Sequence, residues 1–149
     1  MDRLVANDRV RGALAAVGIQ SQGLNAKGFG GAQLGAAEIY FEHGGQSLNA
    51  TAIRVVGEQP LGVYARIYTF RRPPSDAVLK ALERAESDPE TPSGGGELVY
   101  MEENSGLYLG RVYSDPPDSQ ALAEDLVELA RASLHWLENT LEQCLAEAE

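Results

Sequence analysis

Few side chains in this sequence have the types and spacing that catalysis or cofactor binding requires. The first candidate is the glycine-rich stretch near residue 30. Gly28–Gln33 (GFGGAQ) begins like a dinucleotide-binding fingerprint, but Gln33 stands where the last glycine belongs, and a strand rather than a helix is predicted to follow. Gly23–Phe29 has two glycines at P-loop spacing but lacks the Lys-Ser/Thr pair that must follow them. We interpret both stretches as loop glycines, and we predict no cofactor.

The histidines and the cysteine are the other candidates. His43 lies in a predicted hairpin turn and His135 on a predicted helix far along the chain, so with Cys144 as the one cysteine no metal-ligand cluster is predicted. Ser133 and His135 are two residues apart on a helix and face different directions, which excludes a nucleophile–base pair there. We therefore predict no catalytic residue and no metal. An active site assembled from scattered residues would leave no local trace.

The elements that could position a site begin with three predicted strands between Gln33 and Phe70. They cover Ala36–Glu42, Leu48–Val56 and Leu61–Phe70, and short turns join them. Side chains alternate with a period of two, which predicts an antiparallel meander with one buried face. The residues predicted to face the core are Ala37, Ile39, Phe41, Val63, Ala65 and Ile67.

The second face of this meander is amphipathic rather than simply polar. It carries Tyr40, Tyr64, Arg66 and Tyr68, which offer large contact areas and a forked donor. We predict that these residues bind a partner. The alternative, that the tyrosines are only solvent-side residues of a stable sheet, stays open because tyrosine favours strands in any case.

Helices and a second hairpin complete the predicted order α-β-β-β-α-β-β-α, an α+β fold with helices against an antiparallel sheet. Residues 18 to 31 are predicted to be a loop, and residues 87 to 96 (SDPETPSGGG) are too rich in Pro, Gly and acid to pack. The last helix is expected to reach about 45 Å, so that its far end projects or meets a partner. The remaining predicted strands cover Glu97–Glu102 and Gly106–Tyr113. The predicted helices are Leu4–Val17, a short helix that Ser75 caps and that runs to about Glu86, and a last helix that Asp118 or Ser119 caps and that extends to Glu147.

Length and charge limit the class of protein. The 149 residues predict a single domain over residues 1–149, and the net charge of −10 disfavours a nucleic-acid partner, which needs Lys and Arg for phosphate contacts. Residues 118 to 149 alone hold eight acids against one base. No stretch has the ~20 apolar residues of a membrane span, and the start lacks the pattern of a signal peptide. We predict an acidic cytoplasmic protein.

Two stretches resemble a known family. Thr91–Tyr113 (TPSGGGELVYMEENSGLYLGRVY) is similar to the Gly-rich entry into the second hairpin of class I chaperones of type III secretion, the Tir-chaperone type. Leu129–Gln143 (LARASLHWLENTLEQ) resembles the closing helix of that family. The resemblance covers most of the chain from Leu4 to Gln143. The same fold also occurs in YbjN-like proteins.

The resemblance implies a homodimeric, non-enzymatic chaperone that holds an extended segment of a secreted effector along apolar patches and a sheet edge. In that family the helix and strand that follow the meander form the dimer contact. Here these elements would supply Val78, Leu79, Leu82, Leu98 and Tyr100. The first helix offers Val10, Leu14 and Val17 as a further apolar contact for the partner. The alternatives are an orphan regulatory or assembly protein of the same fold, and a small ligand-binding protein or enzyme that uses the sheet surface.

Overall fold

The computed structural model describes residues 1–44 and 59–147. Asp2 accepts a hydrogen bond from the Val5 N–H and caps the first helix, and Ser75 caps the second through the Val78 N–H. The helices are α1 (Arg3–Ala16), α2 (Asp76–Glu86), α3 (Ser119–His135) and α4 (Leu141–Glu147), with a π-helical turn over Trp136–Thr140 between the last two. The strands are β1 (Phe29–Leu34), β2 (Ala37–His43), β3 (Leu61–Thr69), β4 (Glu97–Met101) and β5 (Gly106–Tyr113).

The five strands form one antiparallel sheet in the order β1-β2-β3-β5-β4. The predicted α+β class and the predicted order of elements are confirmed. The alternation in β2 and β3 buries the predicted side chains, from Ala37 to Ile67, against α1 and α3. The described helices that contact β2, β3 and β5 pack on this face, which we call the helix face. The opposite face is called the outer face.

The start of the sheet differs from the prediction. Residues 29–31, predicted as the end of a loop, begin strand β1, which pairs with β2 from Phe29↔Glu42 to Leu34↔Ala37. Gly30 and Gly31 have no side chains from which a period of two could be read, so the pattern was hidden. His43, predicted in a turn, ends β2 and is buried, and its Nε2 lies 2.9 Å from the Met1 carbonyl oxygen. The predicted strand Leu48–Val56 lies outside the described residues.

The C-terminal helix does not project. At the π-helical turn the Leu141 N–H donates to the Trp136 carbonyl, five residues back. Leu141 and Cys144 are then buried with the core, and α4 packs against α2. The expectation that the end of the helix projects is therefore wrong, because its last two turns pack against α2 of the same chain.

The loop before β4 is also packed, contrary to the prediction. A Cβ on Gly94 would lie 2.8 Å from the Leu129 Cα, so the loop backbone touches α3 directly. The Arg111 guanidinium donates to the Gly94 carbonyl (3.0 Å) and pairs with Asp125 (3.3 Å). The Tyr113 hydroxyl donates to the same carboxylate (2.7 Å). Because Gly94 has no side chain, the loop can pack directly on α3, although its composition had predicted that it would not pack.

Candidate functional site

The register of the sheet brings three of the predicted partner-binding residues together on the outer face. Tyr40 of β2 lies opposite Tyr64 of β3, and Arg66 of β3 lies opposite Tyr108 of β5. Directly opposed residues carry their side chains on the same face, so these four form one patch. The patch surrounds a cavity of about 240 Å³ that Phe29 and Met101 also line. We call Phe29, Tyr40, Tyr64, Arg66, Met101 and Tyr108 the tyrosine cup.

A hydrogen-bonded ion pair orders one wall of the cup. The Tyr40 hydroxyl donates to Glu38 Oε2 (2.7 Å), and the Arg66 guanidinium donates to the Tyr40 hydroxyl and pairs with the same carboxylate (3.3 Å). The guanidinium lies 5.2 Å from the centre of the Tyr40 ring, within cation–π range. Burial and the bond to Glu38 raise the pKa of Tyr40. Within residues 1–44 and 59–147, the Arg66 Nε is buried and has no hydrogen-bond partner, whereas the Arg66 side chain as a whole is 36% exposed.

Tyr64 forms the floor of the cup and is not the exposed contact residue that alternation suggested. It is 3% exposed, and burial, followed by the charge of Glu42, raises the pKa of Tyr64 to about 12. Its ring lies over two glycines: a Cβ on Gly62 or on Gly110 would approach ring atoms to 2.8 Å or 2.7 Å. The ring therefore packs directly on the backbone of these two glycines. Tyr64 therefore shapes the cup but offers little surface.

Tyr108, like Phe29 and Met101, is a cup residue that was not predicted from the sequence as a partner contact. It accepts a hydrogen bond from the Asn104 amide (3.0 Å), and Asn104 Oδ1 accepts one from the Gly106 N–H in the turn before β5. A signal was present, because Gly106, Tyr108, Gly110 and Val112 alternate in β5 as Gly62, Tyr64 and Arg66 do in β3. Only the pairing of β3 with β5 places the two sets together.

Tyr68 is separated from the cup by a bulge. The register between β3 and β5 shifts between Arg66 and Tyr68, and Tyr68 lies opposite Leu107, a core residue. Tyr68 is therefore directed to the helix face at the end of the sheet, not to the outer face. Its ring packs edge-to-face on Phe70 (5.0 Å between centroids), and Phe70 packs on Tyr100 (6.2 Å). The predicted grouping of Tyr68 with Tyr40 and Tyr64 is corrected.

The predicted apolar stripe on the first helix is mostly inside the protein. Val10 and Leu14 are 0% and 1% exposed, α1 packs against α3, and Val17 is half-buried beside the core. A surface contact through Val10 and Leu14 is therefore corrected: the third helix of the same chain already covers them.

The predicted dimer residues divide into two groups. Leu82 is 2% exposed, in the part of α2 that faces the core, so it is not available to a second copy. The other four, Val78, Leu79, Leu98 and Tyr100, are partly exposed on α2 and β4. These four stay a prediction.

No group of three His, Cys, Asp or Glu side chains within residues 1–44 and 59–147 could hold a metal ion. No helix of the described part is long and apolar enough to cross a membrane. Ser133 is buried, and its hydroxyl donates to the Ala130 carbonyl (2.8 Å) within its own helix.

Comparison with known proteins bears on the fold. No protein-family profile matches the sequence, and no curated protein matches it. The fold is similar to a chain of the ExsC-ExsE complex, with a TM-score of 0.65 and 10% identity over 93% of this chain and 96% of that one. It is also similar to a chain of the heterodimeric ExoU-SpcU complex from the type III secretion system of Pseudomonas aeruginosa, with a TM-score of 0.50 and 16% identity over 86% and 94% of the two chains. The predicted secretion-chaperone-like fold is confirmed.

Proposed function

We propose that this protein is a cytoplasmic, non-enzymatic chaperone that holds an extended segment of a partner protein. The observation that carries the proposal is the likeness of the fold, over nearly the whole chain, to structures that are complexes between two different proteins. Fold alone does not fix function, and partner binding also requires a site with suitable chemistry. The tyrosine cup supplies that site.

The cup suits one large apolar side chain next to a main-chain carbonyl. A volume of about 240 Å³ equals roughly eight waters at ~30 Å³ each, the scale of a single side chain rather than a helix. Aromatic rings and Met101 line it, and the partly exposed Arg66 guanidinium can donate to a carbonyl oxygen. Phe29, at 38% exposed, stands at the rim where a partner first meets the surface.

Charge favours a neutral or basic segment. The chain carries a net charge of −10, and Glu38 and Glu42 flank the cup, where Arg66 pairs with Glu38. An acidic segment would meet repulsion, and a neutral segment would bind through apolar and main-chain contacts.

We propose that the chaperone is a homodimer in which Val78, Leu79, Leu98 and Tyr100 face a second copy. These residues are partly exposed on adjacent elements, and the exposed Tyr68 with the half-buried Phe70 extends the patch beside Tyr100. Light scattering across a size-exclusion peak should give twice the 16.0 kDa of one chain. A mass of one chain at micromolar concentration would contradict the dimer.

The partner-binding role is tested by co-purification from the native cell extract followed by mass spectrometry. The double variant Phe29→Ala/Arg66→Gln should lose the partner that the wild type retains, since a hot-spot truncation costs ~2 kcal/mol or more, about thirtyfold in affinity. Leu4→Ala is the matched control, because Leu4 is a more exposed apolar residue on α1 that does not line the cup. Equal retention by a correctly folded double variant would refute the cup as the binding site.

A further inference from the structure

The sulfur atoms of the chain lie in three different surroundings. The sequence contains two methionines and one cysteine, and the structure describes all three residues. Met1 is half-buried and packs against the core. Cys144 is 3% exposed, and its thiol donates to the Ala81 carbonyl (3.6 Å). Met101 is half-buried and lines the tyrosine cup, so it is the one sulfur that borders the cavity.

Met101 lies on the outer face at the end of β4. It is directly opposite Gly106 of β5, and Gly106 shares the outer face with Tyr108, so the Met101 side chain is on that face too. The Tyr108 ring lies over Gly106, because a Cβ on Gly106 would lie 2.5 Å from Tyr108 Cε2. In the described part of the chain β4 is the last strand of the sheet. The thioether therefore borders an aromatic ring on one side and the open edge of the sheet on the other.

A thioether in this position can take one oxygen atom from a hydroperoxide. The sulfur lone pair attacks the terminal peroxide oxygen, the S–O bond forms as the O–O bond breaks, and the leaving oxygen takes the proton as water or an alcohol. The sulfur is oxidised by two electrons and the peroxide is reduced by two. Methionine sulfoxide reductases reverse the change, because two thiols reduce the sulfoxide to the thioether and yield a disulfide and water.

Oxidation would make this wall of the cup polar. The thioether is flexible and apolar, whereas the sulfoxide carries an oxygen that requires a hydrogen-bond donor. The Arg66 guanidinium and the Asn104 amide line the same cavity, and both are donors. An oxygen on Met101 would compete for them with a main-chain carbonyl of the partner, and it would place a polar group against the apolar side chain of the partner. Both effects lower affinity.

We propose that Met101 is a reversible oxidation site, at which a hydroperoxide weakens the binding of the partner to the tyrosine cup and thiol-dependent reduction restores it. The inference rests on the proposed function and adds its regulation. Cys144 takes no part, because a buried thiol is protected from the oxidant. The oxidised cup should bind about tenfold more weakly, since an apolar contact is replaced by an incompletely bonded polar group.

The first measurement needs no partner. The full chain is treated with hydrogen peroxide, and peptide mass spectrometry follows the addition of oxygen at Met101 and at Cys144. N-acetyl-methionine methylamide in the same solution gives the rate of a fully exposed thioether. Met101 should oxidise at a rate within about tenfold of this reference, and Cys144 should not react, because susceptibility follows exposure.

The second measurement uses N-acetyl-phenylalanine methylamide as a probe of the cup, since it has one apolar side chain between two carbonyl groups. Its dissociation constant is obtained by NMR from the amide shifts of Gly106 and Tyr108. In the wild type this constant should rise about tenfold on oxidation and return after treatment with sulfoxide reductases and dithiothreitol. Met101→Leu is the matched variant, because it keeps an apolar side chain of similar volume without sulfur. The dissociation constant of this variant, whatever its value, should not respond to peroxide.

Four results would each overturn the inference. They are oxidation of Met101 as slow as that of Cys144, equal affinity of the oxidised and reduced wild type, an equal response to peroxide in Met101→Leu, and unfolding of the oxidised chain, which the fluorescence of Trp136 would report. Failure of the proposed function gives a different result. The probe would then not bind the reduced protein at the cup, which overturns the cup and the inference together, whereas binding that oxidation leaves unchanged overturns the inference alone.

Discussion

Replacing Gly110 by alanine should strain the sheet, because the ring of Tyr64 occupies the place of the new methyl group. A Cβ at Gly110 would lie 2.7 Å from Tyr64 Cδ1 and 2.8 Å from Cε1. Carbon atoms in favourable contact are ~3.5–4.0 Å apart, so the overlap is close to 1 Å. The ring cannot retreat along its own strand, because its other edge already lies against Gly62.

Overpacking of this kind costs about 1–3 kcal/mol of stability. For a chain of 149 residues each kcal/mol lowers the melting temperature by roughly 2–4 °C. The assay is urea unfolding at one fixed protein concentration, followed by the fluorescence of Trp136, the only tryptophan, which is buried. Gly31→Ala is the matched control on the same face, since its Cβ would make only ordinary contacts at 3.5 Å and beyond.

The decisive measurement is a double-mutant cycle. In a Tyr64→Ala background the clash is gone, so Gly110→Ala should cost nothing or should stabilise slightly, because alanine restricts the unfolded chain more than glycine does. The coupling between the two positions should therefore be about 1–3 kcal/mol. If Gly110→Ala lowers stability equally in both backgrounds, or not at all in the wild type, the ring does not fill the space above this glycine.

Three further predictions concern pH, assembly and ligands. The pKa of Tyr64 is raised from 10.0 to about 12, so the contribution of the neutral hydroxyl to stability is complete below pH 10 and is lost as the pH rises to about 12. Between these pH values the free energy of unfolding of Tyr64→Phe should fall by about 2–3 kcal/mol less than that of the wild type. The prediction is wrong if urea unfolding shows the same loss of stability with pH in both proteins. Leu79→Glu should give a folded chain of 16.0 kDa by light scattering, whereas Leu82→Glu should unfold because it buries an unpaired charge; a dimer that survives Leu79→Glu would remove α2 from the interface. ATP or NAD should leave the melting temperature unchanged, and a rise of several degrees with either would argue for a ligand-binding protein or enzyme.

Sequence patterns predicted the elements that have regular side-chain periods. Strands β2, β3, β4 and β5 and helices α1 and α2 lie close to their predicted positions, and all six tyrosines lie in strands. The period of two also separated Ala37, Ile39 and Phe41 from the residues of the outer face. These predictions hold because burial of one face of a strand gives that strand a period of two in its own sequence, whichever elements it packs against.

What the sequence could not predict depends on contacts between distant residues. The depth of Tyr64 is set by Gly110, which the fold brings beside it from another strand. The direction of Tyr68 is set by a bulge against Leu107, and alternation cannot reveal an extra residue in one strand. Three of the six helical residues assigned to contacts with partners, Val10, Leu14 and Leu82, are buried inside the chain itself. An apolar stripe on a helix predicts that the stripe is covered, but it does not predict which element covers it.

The π-helical turn at Trp136–Thr140 has a consequence for how this helix tolerates insertion and deletion. In a regular helix the residue that continues the stripe of Trp136 is four positions on, at Thr140; here it is Leu141, five positions on and buried. The turn thus behaves as a single added residue, accommodated without rotating α4 away from α2. Deleting the exposed Asn139 should convert the segment to one continuous α-helix and keep Leu141 and Cys144 on the same buried side as Trp136. Deleting one residue from the regular part of α3 instead would turn every following side chain by about 100° and expose the apolar stripe to water.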